Sequence, residues 1–342
     1  MRVLTERERN RAVLARQRLL ERSREPLPRV LERMGGLQAQ YAPSMYIGLW
    51  SRADGFRRDA LTAALERRAV VQGTLLRSTI HLVSRRDWWP VAVGVREARR
   101  RWWLRVQTGS RTERDMTRAA RTLRDHLRDG PLSRKAIEAL LGKDVFHGIG
   151  LWIDLVRVPP SGTWERRRAD LLGAAEDWLP PRDVSEEEGI ELLLRRYLTG
   201  FGPASRRDVA DFAGLPIGTI APALDRVASR RFRSEDGEQL FDVARAPLPD
   251  GDTPAPARFL PTWDATLLVH ARRTGILPER YRPRIFNTKT PHSVNTFLVD
   301  GAVAGSWRYE AGHIALEPFE KLDRAAERAL AEEGERLAAF HA

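Results

Sequence analysis

Residues 35–43 read GGLQAQYAP and place Gln38 and Gln40 one residue apart, between a glycine pair and a proline. A primary amide donates and accepts hydrogen bonds but carries no titratable proton. Two of them can align a water, hold a ligand in register and present a dipole to developing charge. The same amides can instead tie down the Gly35-Gly36 bend through backbone hydrogen bonds, and residue type alone leaves both uses open.

Other polar groups could join such a site. Residues 75–83, LLRSTIHLV, alternate as a strand with Arg77, Thr79 and His81 on one face, a face that either is solvated or lines a cleft. Asp264 and His270 bracket the run ATLLV and either cap and pack it or reach the site. Between residues 272 and 292, Arg272, Arg273, Arg280, Arg282, Arg284, Lys289 and His292 are opposed in sequence by Glu279 alone. A positive loop that leads into a hairpin suits phosphate contacts or insertion into a groove, if it is not simply solvated.

Composition removes several chemistries. There is no cysteine, which excludes disulfides, iron-sulfur clusters and Cys-based zinc sites, and the seven histidines are scattered without metal-ligand spacing. Neither a metal nor a cofactor is expected. Of the 58 basic residues only Lys135, Lys143, Lys289 and Lys321 are lysines, and none sits in an apolar run that would depress its pKa. Schiff-base catalysis therefore has no good amine.

Charge separates the halves. Residues 1–150 carry 32 Lys+Arg against 16 Asp+Glu, net +16, whereas residues 151–342 carry 26 against 30, net −4. A basic half suggests a polyanionic partner, most often nucleic acid, although arginine usage driven by genome composition gives the same count. No run of 18 apolar residues occurs and the first residues do not read as a signal peptide, so a cytoplasmic, nucleoid-associated protein without a membrane partner is expected.

The elements that must position these groups are announced by a repeat. Residues 130–142, GPLSRKAIEALLG, align without gaps to residues 202–214, GPASRRDVADFAG. Each reads as a short helix capped by serine and ended by glycine. The pairs Arg134-Lys135 and Arg206-Arg207 stand at its start. After the second copy, residues 215–229 read as another helix, and RFRSEDGEQLFDV as two strands around an Asp236-Gly237 turn. Helix, helix and a two-stranded flap describe a winged helix. After the first copy a helix is expected over 145–158 and a wing at PPSGTWERRR. Helices over 115–127 and 186–198 complete these units.

A more degenerate unit opens the chain, with helices over 5–22, 28–34 and 59–67 and the strand over 75–83, followed by a long helix capped by Asp87. The end, residues 258–320, reads as β-rich, with ATLLVH and a hairpin at Asp300-Gly301, before a helix over 323–339. The fold class is α+β, mainly α: three tandem winged-helix units at 1–110, 111–180 and 181–255, then a β-rich hairpin region and closing helix at 256–342.

Five blocks in order, GLQAQYAPSMYIGLWSR, LLRSTIHLVSRRDWW, GPASRRDVADFAGL, FLPTWDATLLVHARR and FLVDGAVAGSWR, give the chain a resemblance to the AlkZ-like winged-helix DNA glycosylases, the group that includes the YcaQ type. The resemblance implies a C-shaped monomer whose concave cleft carries a glutamine-aliphatic-glutamine motif. Its glutamines match Gln38 and Gln40; the YcaQ branch has aspartate at the position of Gln40. It also implies a DNA-contacting hairpin near residues 272–292. The partner is then double-stranded DNA with alkylated bases, and the activity a monofunctional glycosylase acting on N7-alkylated purines, including bulky adducts or interstrand crosslinks. A non-catalytic winged-helix regulator and a protein that sequesters an alkylating metabolite remain the alternatives.

Overall fold

A serine or threonine followed three residues later by an acid starts several of the helices. Thr112 opens Glu113–Leu127, Ser185 opens Glu186–Phe201 and Ser205 opens Arg206–Ala213, each reciprocated by Asp115, Glu188 or Asp208 in a capping box. The two copies of the repeat behave as their sequences predict: Ser133 caps Arg134–Leu141, and Gly214 closes Arg206–Ala213 at φ 67°. The computed structural model describes residues 1–268, 274–287 and 292–342.

One succession of elements occurs three times: a helix, a short strand, two helices, then two antiparallel strands of which the second pairs with the short one. The first set runs through Leu27–Met34, Leu37–Gln38, Ala42–Trp50, Arg58–Glu66, Val70–Thr74 and Ile80–Ser84. The second runs through Glu113–Leu127, Leu132–Ser133, Arg134–Leu141, Lys143–Ile149, Leu155–Arg157 and Leu171–Ala174. In the third, Glu186–Phe201, Arg206–Ala213, Ile217–Val227, Arg230–Ser234 and Gln239–Asp242, the short strand shrinks to a bridge between Ala204 and Phe241. The first two sets share a six-stranded sheet through the pairing of Gly73 with Val156.

Several expected boundaries move. The helix expected over 145–158 ends at Ile149, and Leu155–Arg157 is a strand instead. The strand expected over 75–83 begins only at Ile80, because Arg77 and Ser78 turn the chain at φ 50° and 59°. The helix expected over 5–22 stops at Arg16. Ala42–Trp50 was not anticipated: every residue in it is buried, so no amphipathic stripe announces it. In the run ATLLVH, Ala265–Leu268 is one helical turn rather than a strand.

At the C-terminal end, Arg258–Leu260, Thr296–Val299, Ala302–Glu310 and His313–Pro318 form an antiparallel sheet, with Asp300 and Gly301 both at positive φ in the tight hairpin. Helix Arg324–His341 closes over it, burying Leu330 and Leu337 in one cluster with Phe259, Phe297 and Trp307. No helix among the described residues is long and apolar enough to cross a membrane.

The long helix Arg85–Val106 touches all three sets. Its Trp88 lies against Gly73, its Gly94 against Gly189 of Glu186–Phe201, and its Trp103 against Gly148. A Cβ on Gly94 would stand 2.6 Å from the Gly189 carbonyl carbon, so backbone meets backbone there. Gly94→Val is therefore expected to cost about 3 kcal/mol by forcing the helices apart. Gly218, helical and with open space around it, is the matched control, and Gly218→Ala should gain about 0.5–1 kcal/mol. Urea unfolding of both variants checks the pair; a Gly94→Val protein as stable as the parent would contradict the packing.

Candidate functional site

The glycine bend is closed without help from the glutamines. Gly35 ends helix Leu27–Met34 in the left-handed conformation, and the N–H groups of Gly35 and Gly36 both donate to the Leu31 carbonyl. Gln38 then pairs with His81 across the short strand, and the Ala39 N–H donates to the Ile80 carbonyl at 2.7 Å. Gln40 continues the ladder with its side chain: its Oε1 accepts the Ile80 N–H at 2.8 Å. One amide is thus fixed to the strand edge while its outer side stays exposed. The half-buried Gln38 amide makes no hydrogen bond among the described residues. Ala39 between them is buried, and its carbonyl accepts from Gln72 Nε2 at 3.3 Å.

Register brings further groups to this end of the sheet. Thr79 Oγ1 donates to the Leu76 carbonyl and closes the turn. The buried His81 sets its Nδ1 3.0 Å from the Thr79 carbonyl, so Nδ1–H donates and Nε2 keeps its lone pair. Burial, reinforced by the nearby charges of Arg77 and Arg99, pulls its pKa down to about 3. His81 is a neutral acceptor at working pH.

Arg77, expected on the strand face with Thr79 and His81, leaves it. In its left-handed turn it donates to the Phe212 carbonyl and lies 5.4 Å over the Phe212 ring, joining the first set to the third. Asp264 caps and packs: Arg52 donates to its Oδ1 at 2.8 Å, as do the Thr266 N–H and hydroxyl. His270, Arg272, Arg273 and Lys289 lie outside the described residues. His292 falls in the two-residue strand paired with Phe286–Asn287.

The remaining basic candidates are partly spoken for. Arg134 pairs with Glu138 at 2.7 Å and lies over Phe146; Lys135 is exposed; Arg206 lies over Phe241; Arg207 reaches Asp211 at 3.8 Å. Arg284 pairs with Glu317 and Arg280 with Glu320. Within the described part of that loop, Arg280 and Arg284 are thus met by carboxylates from farther along the chain. Some charges of the basic front half are met in the same way, since Arg16 pairs with Asp242, Arg22 with Glu333 and Arg52 with Asp264.

Sequence reading missed Arg99 and Arg157. Both guanidinium groups converge on Thr74, which pairs with Ile80, the residue that Gln40 holds. Arg99 had a signal: it continues the buried stripe Trp88, Ala92, Val95, Trp103 of the long helix, where an apolar residue belongs. Arg157 was hidden in the expected helix. Trp263 also went unread; it is half-buried at φ 63°, and its turn is held to helix Ala42–Trp50 by the 2.6 Å contact of Thr262 Oγ1 with Ser44 Oγ.

Residues 31–340 match the model of a family described as "DNA glycosylase AlkZ-like". Among solved structures, the fold is similar to that of Streptomyces sahachiroi DNA glycosylase AlkZ, at 15% sequence identity and a TM-score of 0.81, over 99% of this chain and 96% of that one. No curated protein matches the sequence.

His81 gives the site an acid liability. Its folded pKa lies below the ordinary 6.5, so the unfolded chain binds the extra proton; stability is full above about pH 6.5 and falls as pH drops toward 3. His341, lowered to about 4 by burial, acts in the same direction. His81→Asn should remove part of the stability lost between about pH 7 and pH 4 in urea titrations. Equal losses in the two proteins would place His81 in an ordinary solvated environment.

Proposed function

Since this chain belongs to the AlkZ-like DNA glycosylase family, we propose that it hydrolyses the N-glycosidic bond of N7-alkylated purines in duplex DNA, bulky adducts and interstrand crosslinks among them, and leaves an abasic site without cutting the strand. The observation that carries this reading is the set of uncharged hydrogen-bonding groups at the sheet end: a Gln38 amide without a hydrogen bond among the described residues, a Gln40 amide fixed to Ile80, and an uncharged His81 on the neighbouring strand.

Alkylation at N7 makes the purine cationic. Its bond to C1′ then breaks with the electron pair passing to N9, which neutralises the base and leaves an oxocarbenium sugar. No strong acid is needed to protonate the leaving group, and a site without positive charge at the base does not repel it. Water supplies the oxygen that bonds to C1′ and releases a proton to solvent. Gln38, whose amide makes no hydrogen bond among the described residues, holds that water or the lesion. Gln40 Oε1 has a second lone pair to orient the water and face the sugar cation.

The three recurring successions act in this reading as winged-helix units, at 1–110, 111–180 and 181–255, with 256–342 completing a C-shaped monomer around the duplex. Arg134 and Lys135, and Arg206 and Arg207, stand at corresponding helix starts and serve as phosphate contacts. Arg272, Arg273, Arg284, Lys289 and His292 belong to the proposed hairpin contact. A cytoplasmic, nucleoid-associated location follows from the substrate.

Single-turnover release of 7-methylguanine from duplex DNA tests the assignment. Gln38→Ala and Gln40→Ala should each slow release roughly 30- to 1000-fold, from the loss of about 2–4 kcal/mol of positioning and dipole stabilisation, with duplex affinity kept. Gln40→Asp keeps part of the rate, and uracil is not released by the parent. Undiminished release by the double alanine variant would make both glutamines strand-edge residues only. Tight binding to one intact sequence with no base release would instead identify a regulator.

A further inference from the structure

The buried Arg99 and the half-buried Arg157 present cationic hydrogen-bond donors that no carboxylate receives among the described residues. Arg99 is 8% exposed, its Nη1 lies at 3.4 Å from the Thr74 carbonyl, and its Nε and Nη2 have no partner. Arg157 donates through Nη1 to Thr74 Oγ1 at 2.9 Å, and its buried Nε is likewise unpartnered. The carboxylate whose field reaches Arg99 is that of Asp154, already bonded to Arg96 at 2.7 Å. Burial lowers both arginines to about 10, which leaves them charged at neutral pH.

An unpaired cation in the interior costs several kcal/mol relative to an apolar residue of the same size. Here Arg99 is such a cation, and the half-buried Arg157 shares its wall. That wall lines a cavity of about 530 Å³, bounded also by Trp102, Phe146 and His147. A second cavity, of about 840 Å³, shares Arg99 and Trp102 with the first and carries Arg77, Arg101 and Arg105. The pairing of Thr74 with Ile80, and the bond from Ile80 to Gln40, put the first cavity at the glutamine end of the sheet.

We propose that Arg99 and Arg157 together clamp one phosphate, and that this phosphate is a backbone phosphodiester of the damaged strand close to the lesion. Guanidinium forks match phosphate oxygens, and the missing counter-charge arrives with the ligand. The proposal rests on the DNA-glycosylase reading for its source of phosphate. The clamp fixes the strand while the amides act on the sugar, so both arginines are positioning residues.

The test uses Arg99→Met, Arg157→Met and the double variant. Removing an unpaired buried charge should leave unliganded stability unchanged or raised, whereas a purely structural role at Thr74 predicts a loss. Because one phosphate is shared, the slope of log K against log salt for duplex binding should become shallower by about 0.9 in either single variant and by no more than that in the double. Slopes that fall twice as far in the double variant would overturn the shared clamp.

A scan of single uncharged methylphosphonates along the damaged strand gives a readout free of mutant folding. One position near the lesion should weaken binding by the parent and leave the double variant unaffected; a parent indifferent to every position would also overturn the proposal. Binding is read apart from base release, so a protein that holds this phosphate yet releases no base fails the catalytic reading and keeps the clamp. Inorganic phosphate alone distinguishes the other source. If it raises the parent's melting temperature at millimolar levels while no methylphosphonate matters, the pocket takes a free anion and the DNA clamp is wrong.

Discussion

Backbone contact between Gly94 and Gly189 is the constraint on which the arrangement depends. Two helices that meet without side chains between them cannot slide or rotate without collision, so the long helix Arg85–Val106 has one seat against the third set. Trp88 on Gly73 and Trp103 on Gly148 fix its two ends against the first and second sets in the same manner. The helix thereby carries Arg99 and Trp102 to the turn end of the sheet. Without that spine Arg99 would be lost from the sheet that already joins Gln40, Thr74 and Arg157.

The chemistry proposed for this end sets two electrostatic demands against each other. Duplex DNA needs positive charge nearby, while a cationic base needs none where it sits. In the proposed site the two demands fall on different strands. His81, paired with Gln38, is kept neutral by burial and by the fields of Arg77 and Arg99. The charges of Arg99 and Arg157 are recessed one strand farther, behind Thr74. A carboxylate in place of an amide would bind the sugar cation more strongly and would repel the phosphates that the arginines attract.

What could be read from sequence was local. The serine caps, terminal glycines and Asp-Gly turns came out where expected because each depends on a few neighbouring residues. Ala42–Trp50 was unreadable since its burial on all sides erases periodicity, and the Leu155–Arg157 strand was lost to an apolar run that suits either element. The glutamine pair was visible as residue types, but its asymmetry was not: only the fold shows Gln40 spent partly on Ile80 and Gln38 without a hydrogen bond among the described residues. The pairing of charges was out of sight in the same way. A window of sequence cannot see that Asp242, Asp264, Glu317 and Glu333 return to neutralise arginines far from them in the chain.

A structure of the protein bound to a duplex that carries a 2′-fluorinated N7-methylguanosine, whose glycosidic bond resists cleavage, tests the central claim most directly. The account predicts the lesion's C1′ within reach of a water held by Gln38 and Gln40, with an adjacent phosphate on Arg99 and Arg157. A lesion sugar bound away from the Gln38 end of the sheet, with both amides still facing only protein, would contradict it.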